Sequence, residues 1–188
     1  MLEQYLINHC APTLASLKTA NLFNCTAENP TALQMAVSRW QALLAPKGVK
    51  LLLLRESGNR ALVYVYRPDR LARDLQQPGG AAFLAHCGYT GTAPAACLDV
   101  LKRKLAVSSD FPHEIGLFLG YPLGDVIGFI ENHGQNCLCC GVWKVCLLYT
   151  NPEAAAGAFR KFSKCTRVYR RLFFGGHRNV EQLTVKSA

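Results

Sequence analysis

Acid is scarce in this chain, and long apolar runs are missing. Asp and Glu number 12 against 21 Lys and Arg, a formal charge of +9 over 188 residues. No apolar stretch approaches the ~20 residues that a membrane-spanning helix needs; the stretch from Val49 to Leu54, aliphatic but for Lys50, is a strand's worth. The first residues carry no basic region followed by a long apolar segment, which argues against a secretory leader. A cytoplasmic protein, with no membrane partner, is the expectation. Nine cysteines are an odd count, which excludes a fully paired disulfide framework and suits a reducing compartment.

Several catalytic signatures are absent as well. No Gly-Lys-Ser/Thr exists for a phosphate-binding loop, and the glycines at 116, 120 and 124 do not have dinucleotide spacing. His113-Glu114 lacks a second His four residues on, since position 117 is Leu, so the zinc-helix motif of metalloproteases is missing. Zinc deaminases need His-x-Glu followed by Pro-Cys-x-x-Cys; here His and Glu are adjacent and no Pro precedes the thiols at Cys137, Cys139 and Cys140. No helix-turn-helix is visible, and no internal repeat, low-complexity tract or long linker divides the chain. With half the residues apolar, a chain of this length buries roughly 70% of its unfolded surface in one core.

What remains reads as α+β, a single domain over 1–188 with a small, mostly antiparallel sheet of about four strands covered by helices and a long C-terminal helix. Residues 2–9 suggest a short helix stopped by Pro12. The stretch from Thr13 to Cys25 fits a strand or an extended loop. Leu33, Val37, Trp40 and Leu44 share one face of a helix over 32–44, with Thr31 as its N-cap. Residues 49–55 and 61–66 flank Ser57-Gly58-Asn59 as a hairpin. Short helices are expected after Pro68, after Gly80 and over 95–106. Residues 114–119 read as a buried strand, Leu123, Val126, Ile127 and Ile130 as a helical stripe, and 142–149 as a second buried strand. Asn151 caps the last helix, with Pro152 at its first position.

Charge and chemistry are unevenly placed. Arg160, Lys161, Lys164, Arg167, Arg170, Arg171 and Arg178 hold most of the net charge, with no acid between Glu153 and Glu181. On the final helix Ala155, Phe159, Phe162, Tyr169 and Phe173 face one way. Arg160, Lys164, Arg167 and Arg171 face the other, a strip suited to an acidic protein or nucleic acid, or to solvent. Because the aromatics face the core, they offer no RNA-stacking platform.

The densest cluster of reactive groups lies between 111 and 145. His113 and Glu114 are the candidate proton-transfer residues, because imidazole titrates near neutrality and burial tunes carboxylates. Tyr121, Asp125, Trp143 and Lys144, with Lys18 and Asn21 from the earlier stretch, are candidate ligand-binding residues for a small anionic molecule. The helix start after Pro122 could hold an anion, although Asp125 already answers the dipole there. Cys137, Cys139, Cys140 and His133 have the donor types for zinc or iron, or for reversible thiol chemistry, though not the spacing of a known zinc or ferredoxin motif. The other six cysteines fall among apolar neighbours and read as core.

Several blocks together resemble a bacterial family known only as a domain of unknown function. They are 10–14, Lys18 with 20–23, 112–116 running through 118–122, Asp125 with 128–130, Gly141 with 143–145, and 181–185. The resemblance implies a cytosolic single-domain protein and brings no catalytic residues with it. It also implies Tyr near position 146, where this chain has Cys.

Overall fold

The structure, a computed structural model, describes residues 2–26, 29–107, 111–146 and 151–186. In chain order the elements are α1 (Leu2–Leu14), β1 (Ala20–Thr26), α2 (Pro30–Leu44), β2 (Lys50–Ser57), β3 (Arg60–Tyr66), α3 (Pro68–Leu75) and α4 (Gly80–His86). They continue with α5 (Pro94–Val107), α6 (Ile115–Phe118), α7 (Leu123–Glu131), β4 (Cys137–Cys140), β5 (Lys144–Cys146), α8 (Pro152–Phe174) and α9 (Val180–Leu183). The α+β class is as expected. The strands form a three-stranded antiparallel sheet and a separate two-stranded ribbon, in place of one sheet of about four. The chain divides into two compact units, Met1–Asp69 with Phe162–Ala188, and Arg70–Lys161.

The first unit is built on the sheet, ordered β1-β3-β2. Ala61, Val63 and Val65 of β3 alternate onto one face, where they meet α1 and α2 through Leu6, Cys10, Leu33, Val37 and Trp40. The expected hairpin is present, joined at Gly58 with φ +57°. Helix α2 starts earlier than expected: Asn29, not Thr31, caps it by accepting from Ala32 N–H at 2.8 Å, and Pro30 takes the first helical position.

Pro12 does not stop α1, which runs on to Leu14. The end of the helix is held by a buried arginine. Arg67, 1% exposed, donates to Thr13 O at 2.7 Å and to Leu14 O and Val185 O at 2.8 Å each. Its guanidinium thus takes up terminal carbonyls that the helix leaves open, at the negative end of its dipole. Lys47 secures the same tail, donating to Glu181 O and, at 3.2 Å, to Thr184 O.

In the second unit, the strand expected over 114–119 is instead the short helix α6 (Ile115–Phe118), with Glu114 and Leu119 at its two ends. A fully apolar run has no periodicity that separates the two states. The deciding signal is the ending. Gly120 takes φ +74°, its N–H bonds Leu117 O at 3.0 Å, and Tyr121 N–H reaches back to Gly116 O at 3.0 Å. That is a glycine-terminated helix followed by a proline, a pattern present in the sequence and misread there as a strand end. The strand expected over 142–149 is seen as β5, with 147–149 outside the described residues. Asn151 caps α8 as expected, accepting from Glu153 N–H at 2.9 Å.

Lys18 gives this unit a testable pH response. Only 5% exposed, it donates to Ala20 O at 2.7 Å. Burial pushes its pKa down to about 8 from 10.5, with the nearby Cys10 acting weakly in the opposite sense. Between those values the unfolded chain binds the proton and the folded chain does not, so the contribution of Lys18 to stability rises with pH across the window. The contribution is complete above the unfolded value and is lost as pH falls through about 8. Denaturant titrations on either side of the window should show Lys18→Met without this component, a difference of up to about 3 kcal/mol. Equal pH slopes in both proteins would contradict it.

Candidate functional site

Three short pieces of the second unit surround a cavity of about 380 Å³: the turn and helix from Phe111 to Leu119, helix α7, and the β4–β5 ribbon. Its floor is buried and comes from Ile115, Gly116, Leu119, Asp125 and Val126. Two aromatic groups form its wall, Tyr121 lying against Trp143 with centroids 5.3 Å apart and an angle of 29° between the planes. Phe111, His113, Phe129 and the segment 140–144 complete the lining.

Local physics explains why these pieces meet. At Gly116 a Cβ would come within 2.9 Å of Val126 and 3.2 Å of Tyr121, so only glycine lets α6 and α7 approach this closely. Asp125 then joins α7 to the ribbon. Its carboxylate, 2% exposed, accepts from the Trp143 indole N–H at 2.9 Å and from Cys146 N–H at 2.9 Å. Sequence reasoning read Asp125 as a helix-dipole charge; its side chain also orients the tryptophan. Trp143 is held from behind by Phe159 of α8, edge to face at 4.6 Å. The Tyr121 hydroxyl donates to Val142 O at 2.9 Å, and burial pushes its pKa up to about 12, so it stays protonated as a donor.

Six of the residues singled out from sequence therefore line one cavity: His113, Tyr121, Asp125, Cys140, Trp143 and Lys144. His113 meets Phe129 edge-on at 5.1 Å; its carbonyl accepts from Gly116 N–H at 3.1 Å, and its imidazole has no hydrogen-bond partner among the described residues. Lys144 donates to Gly134 O at 2.7 Å and lies 5.7 Å from the Phe129 ring. Two N–H groups of its ammonium remain for other acceptors.

The other singled-out residues lie elsewhere. Glu114 is not in the lining: it is ion-paired with Lys104 and accepts from the Tyr89 hydroxyl at 3.1 Å, an internal brace between α5 and the start of α6. His113 and Glu114 thus act apart, as their adjacency suggested, but because they sit in a turn and not a strand. Lys18 and Asn21 belong to the first unit, where Lys18 bonds Ala20 O and Asn21 accepts from the Thr13 hydroxyl at 2.7 Å. His133 is in the turn after α7, at φ +49°. Among the described residues no group of three or more His, Cys, Asp or Glu is placed to hold a metal ion, so the set Cys137, Cys139, Cys140 and His133 gains no support as a zinc or iron site. Arg160, Lys164, Arg167 and Arg171 are all exposed on α8.

The sequence reading missed Phe111 and Phe129 as cavity residues and gave Cys140 a metal or thiol role instead. Phe129 was legible in principle, since it lies four residues after Asp125 on α7 and so shares its face.

Compared with known families, residues 6–184 match the family described as a protein of unknown function, DUF3793. The chain belongs to that family. The DUF3793 match spans both units and contains every cavity residue. Searches of the curated proteins and of the solved structures found no significant match. Among the described residues no helix is long and apolar enough to cross a membrane.

The Asp125 bridge can be tested alone. In a Trp40→Phe background, where Trp143 is the remaining indole, Asp125→Ala should lose about 2–4 kcal/mol, because two donors are left unpaired. Its folded-state emission should shift to the red. Asp125→Asn keeps an acceptor and should lose less. An unshifted Trp143 spectrum in the alanine variant would show that the carboxylate does not hold the ring.

Proposed function

We propose that the DUF3793 chain is a small-molecule binding protein whose site is the aromatic cavity of the second unit. The ligand would have a flat apolar body and one anionic group. The observation that carries this reading is convergence: two blocks separated by ten residues, 111–129 and 140–144, line a single cavity of about 380 Å³. That size and an apolar lining with a few polar groups are the usual attributes of a ligand pocket.

Polarity follows from which groups are already engaged. Both Asp125 oxygens have donors inside the protein, one each from Trp143 and Cys146. Lys144 and His113 are exposed and retain donor capacity at the cavity's edge. A planar apolar body against Tyr121 and Trp143, with its charge toward Lys144, suits that arrangement. Binding is favoured over catalysis because Glu114, the carboxylate that would pair with His113, is held by Lys104 and Tyr89.

Anilinonaphthalene sulfonate is a suitable probe, being planar, apolar and anionic. Energy transfer from Trp143 should report its binding in the Trp40→Phe background. Lys144→Met should weaken it about fivefold, near 1 kcal/mol, as expected for a partly exposed charge contact. Trp143→Ala should weaken it about tenfold or more through lost ring contact. The neutral phenylnaphthylamine should ignore Lys144→Met. Probe binding that survives Trp143→Ala unchanged would remove the proposal.

A second reading rests on α8. Its cations at 160, 164, 167 and 171 are exposed, and no ion pair involves them among the described residues. This reading makes them a docking strip for an anionic partner such as nucleic acid. Affinity for a duplex oligonucleotide should then fall with a log–log salt slope of about −3 to −4. The triple reversal Arg160→Glu, Lys164→Glu, Arg171→Glu should flatten it. An unchanged slope would dismiss this strip.

A further inference from the structure

The β4–β5 ribbon carries a feature that the binding proposal does not use. In a regular strand Cys137 and Cys140 would point to opposite faces, since they are an odd number of residues apart. Cys137 pairs with Cys146, Cys139 with Val145 and Cys140 with Lys144, with a register shift between Cys137 and Cys139. A bulge of this kind inserts one extra residue and reverses the alternation beyond it. Both thiols consequently come to the same side, with their Sγ atoms 3.3 Å apart. Cys140 is exposed and Cys137 half-buried, and both are free thiols. The buried cysteines Cys10, Cys25, Cys97 and Cys146 have no comparable access.

We propose that Cys137 and Cys140 form a redox-active dithiol, taking up a reversible disulfide by exchange with low-molecular-weight disulfides. Cys-x-x-Cys spacing is a common framework for such exchange, and here the bulge brings the second thiol within reach of the first. Exposed Cys140 reacts first: its thiolate attacks the external disulfide, that S–S bond breaks, and one small thiolate leaves. Cys137, at 3.3 Å, then attacks Cys140 Sγ in the mixed disulfide and releases the second small thiolate. The two protein thiols lose two electrons and two protons; the reagent gains two electrons and leaves as two thiols.

The surroundings modulate the step without blocking it. The hydrogen bond with Cys137 raises the Cys140 pKa above its ordinary value, with burial adding to this, while Lys144 across the ribbon lowers it. Exchange therefore quickens as pH rises through the thiol range. Because Cys140 also lines the cavity, the bridge would fix one stretch of its wall. The dithiol itself stands on the sulfur geometry and holds whether or not the cavity takes a ligand.

The test uses the whole reduced chain, exposed to glutathione disulfide, alkylated, digested and analysed by mass spectrometry. The expected result is a Cys137–Cys140 bridge forming before any other modification, with loss of two alkylatable thiols and full recovery on reduction. Cys139→Ser should still form it. Cys137→Ser should instead trap glutathione on Cys140. Alkylated Cys137 and Cys140 persisting while other cysteines oxidise would overturn the proposal, as would a bridge that requires Cys139.

Discussion

A buried carboxylate between two donors is the constraint on which the site depends. Asp125 sits in the first turn of α7 and reaches across to β5, where one oxygen takes the Trp143 indole N–H and the other takes Cys146 N–H. A carboxylate in apolar surroundings is costly unless it is fully hydrogen-bonded. Here the arrangement that removes the cost also sets the geometry, because only one placement of the ribbon satisfies both oxygens. The tryptophan is therefore fixed, Tyr121 lies against it, and the cavity has a rigid wall.

A similar logic governs the first unit. Arg67 is as buried as any apolar residue there, and its charge is answered by main-chain carbonyls of α1 and the C-terminal tail. Ionisable residues in this protein thus fall into two groups. Arg67, Lys18, Glu114 and Asp125 are buried and engaged with internal partners. His113, Lys144 and Cys140 are exposed at the cavity. That separation bears on function more than residue type alone.

Much of the fold was legible in sequence because periodicity reported it. Helix α2, the β2–β3 hairpin, α5, α7 and α8 have clear apolar faces, and α2, α7 and α8 stop within three residues of a proline or glycine. The failures have physical causes. Helix α6 is apolar throughout, so no face distinguishes it from a strand. The end of α1 beyond Pro12 is held by Arg67, more than fifty residues away, which no local pattern reveals. Of the site, the central block was legible from its density of polar groups among glycines. Its membership was not: Lys18 and Asn21 were included for chemistry alone, whereas Phe129 contributes only through the face that α7 presents. The pairing of Cys137 with Cys140 was hidden because it needs a bulge, and regular alternation would have separated them.

The most direct measurement of the central claim is a titration of uniformly ¹⁵N-labelled protein with a mixture of small aromatic acids, followed by amide and indole NMR shifts. The account predicts saturable shifts at the Trp143 indole and at the amides of 113–129 and 140–146, with little change at the Trp40 indole. Shifts that cluster on the first unit, or a Trp143 indole that stays still while other signals saturate, would contradict it.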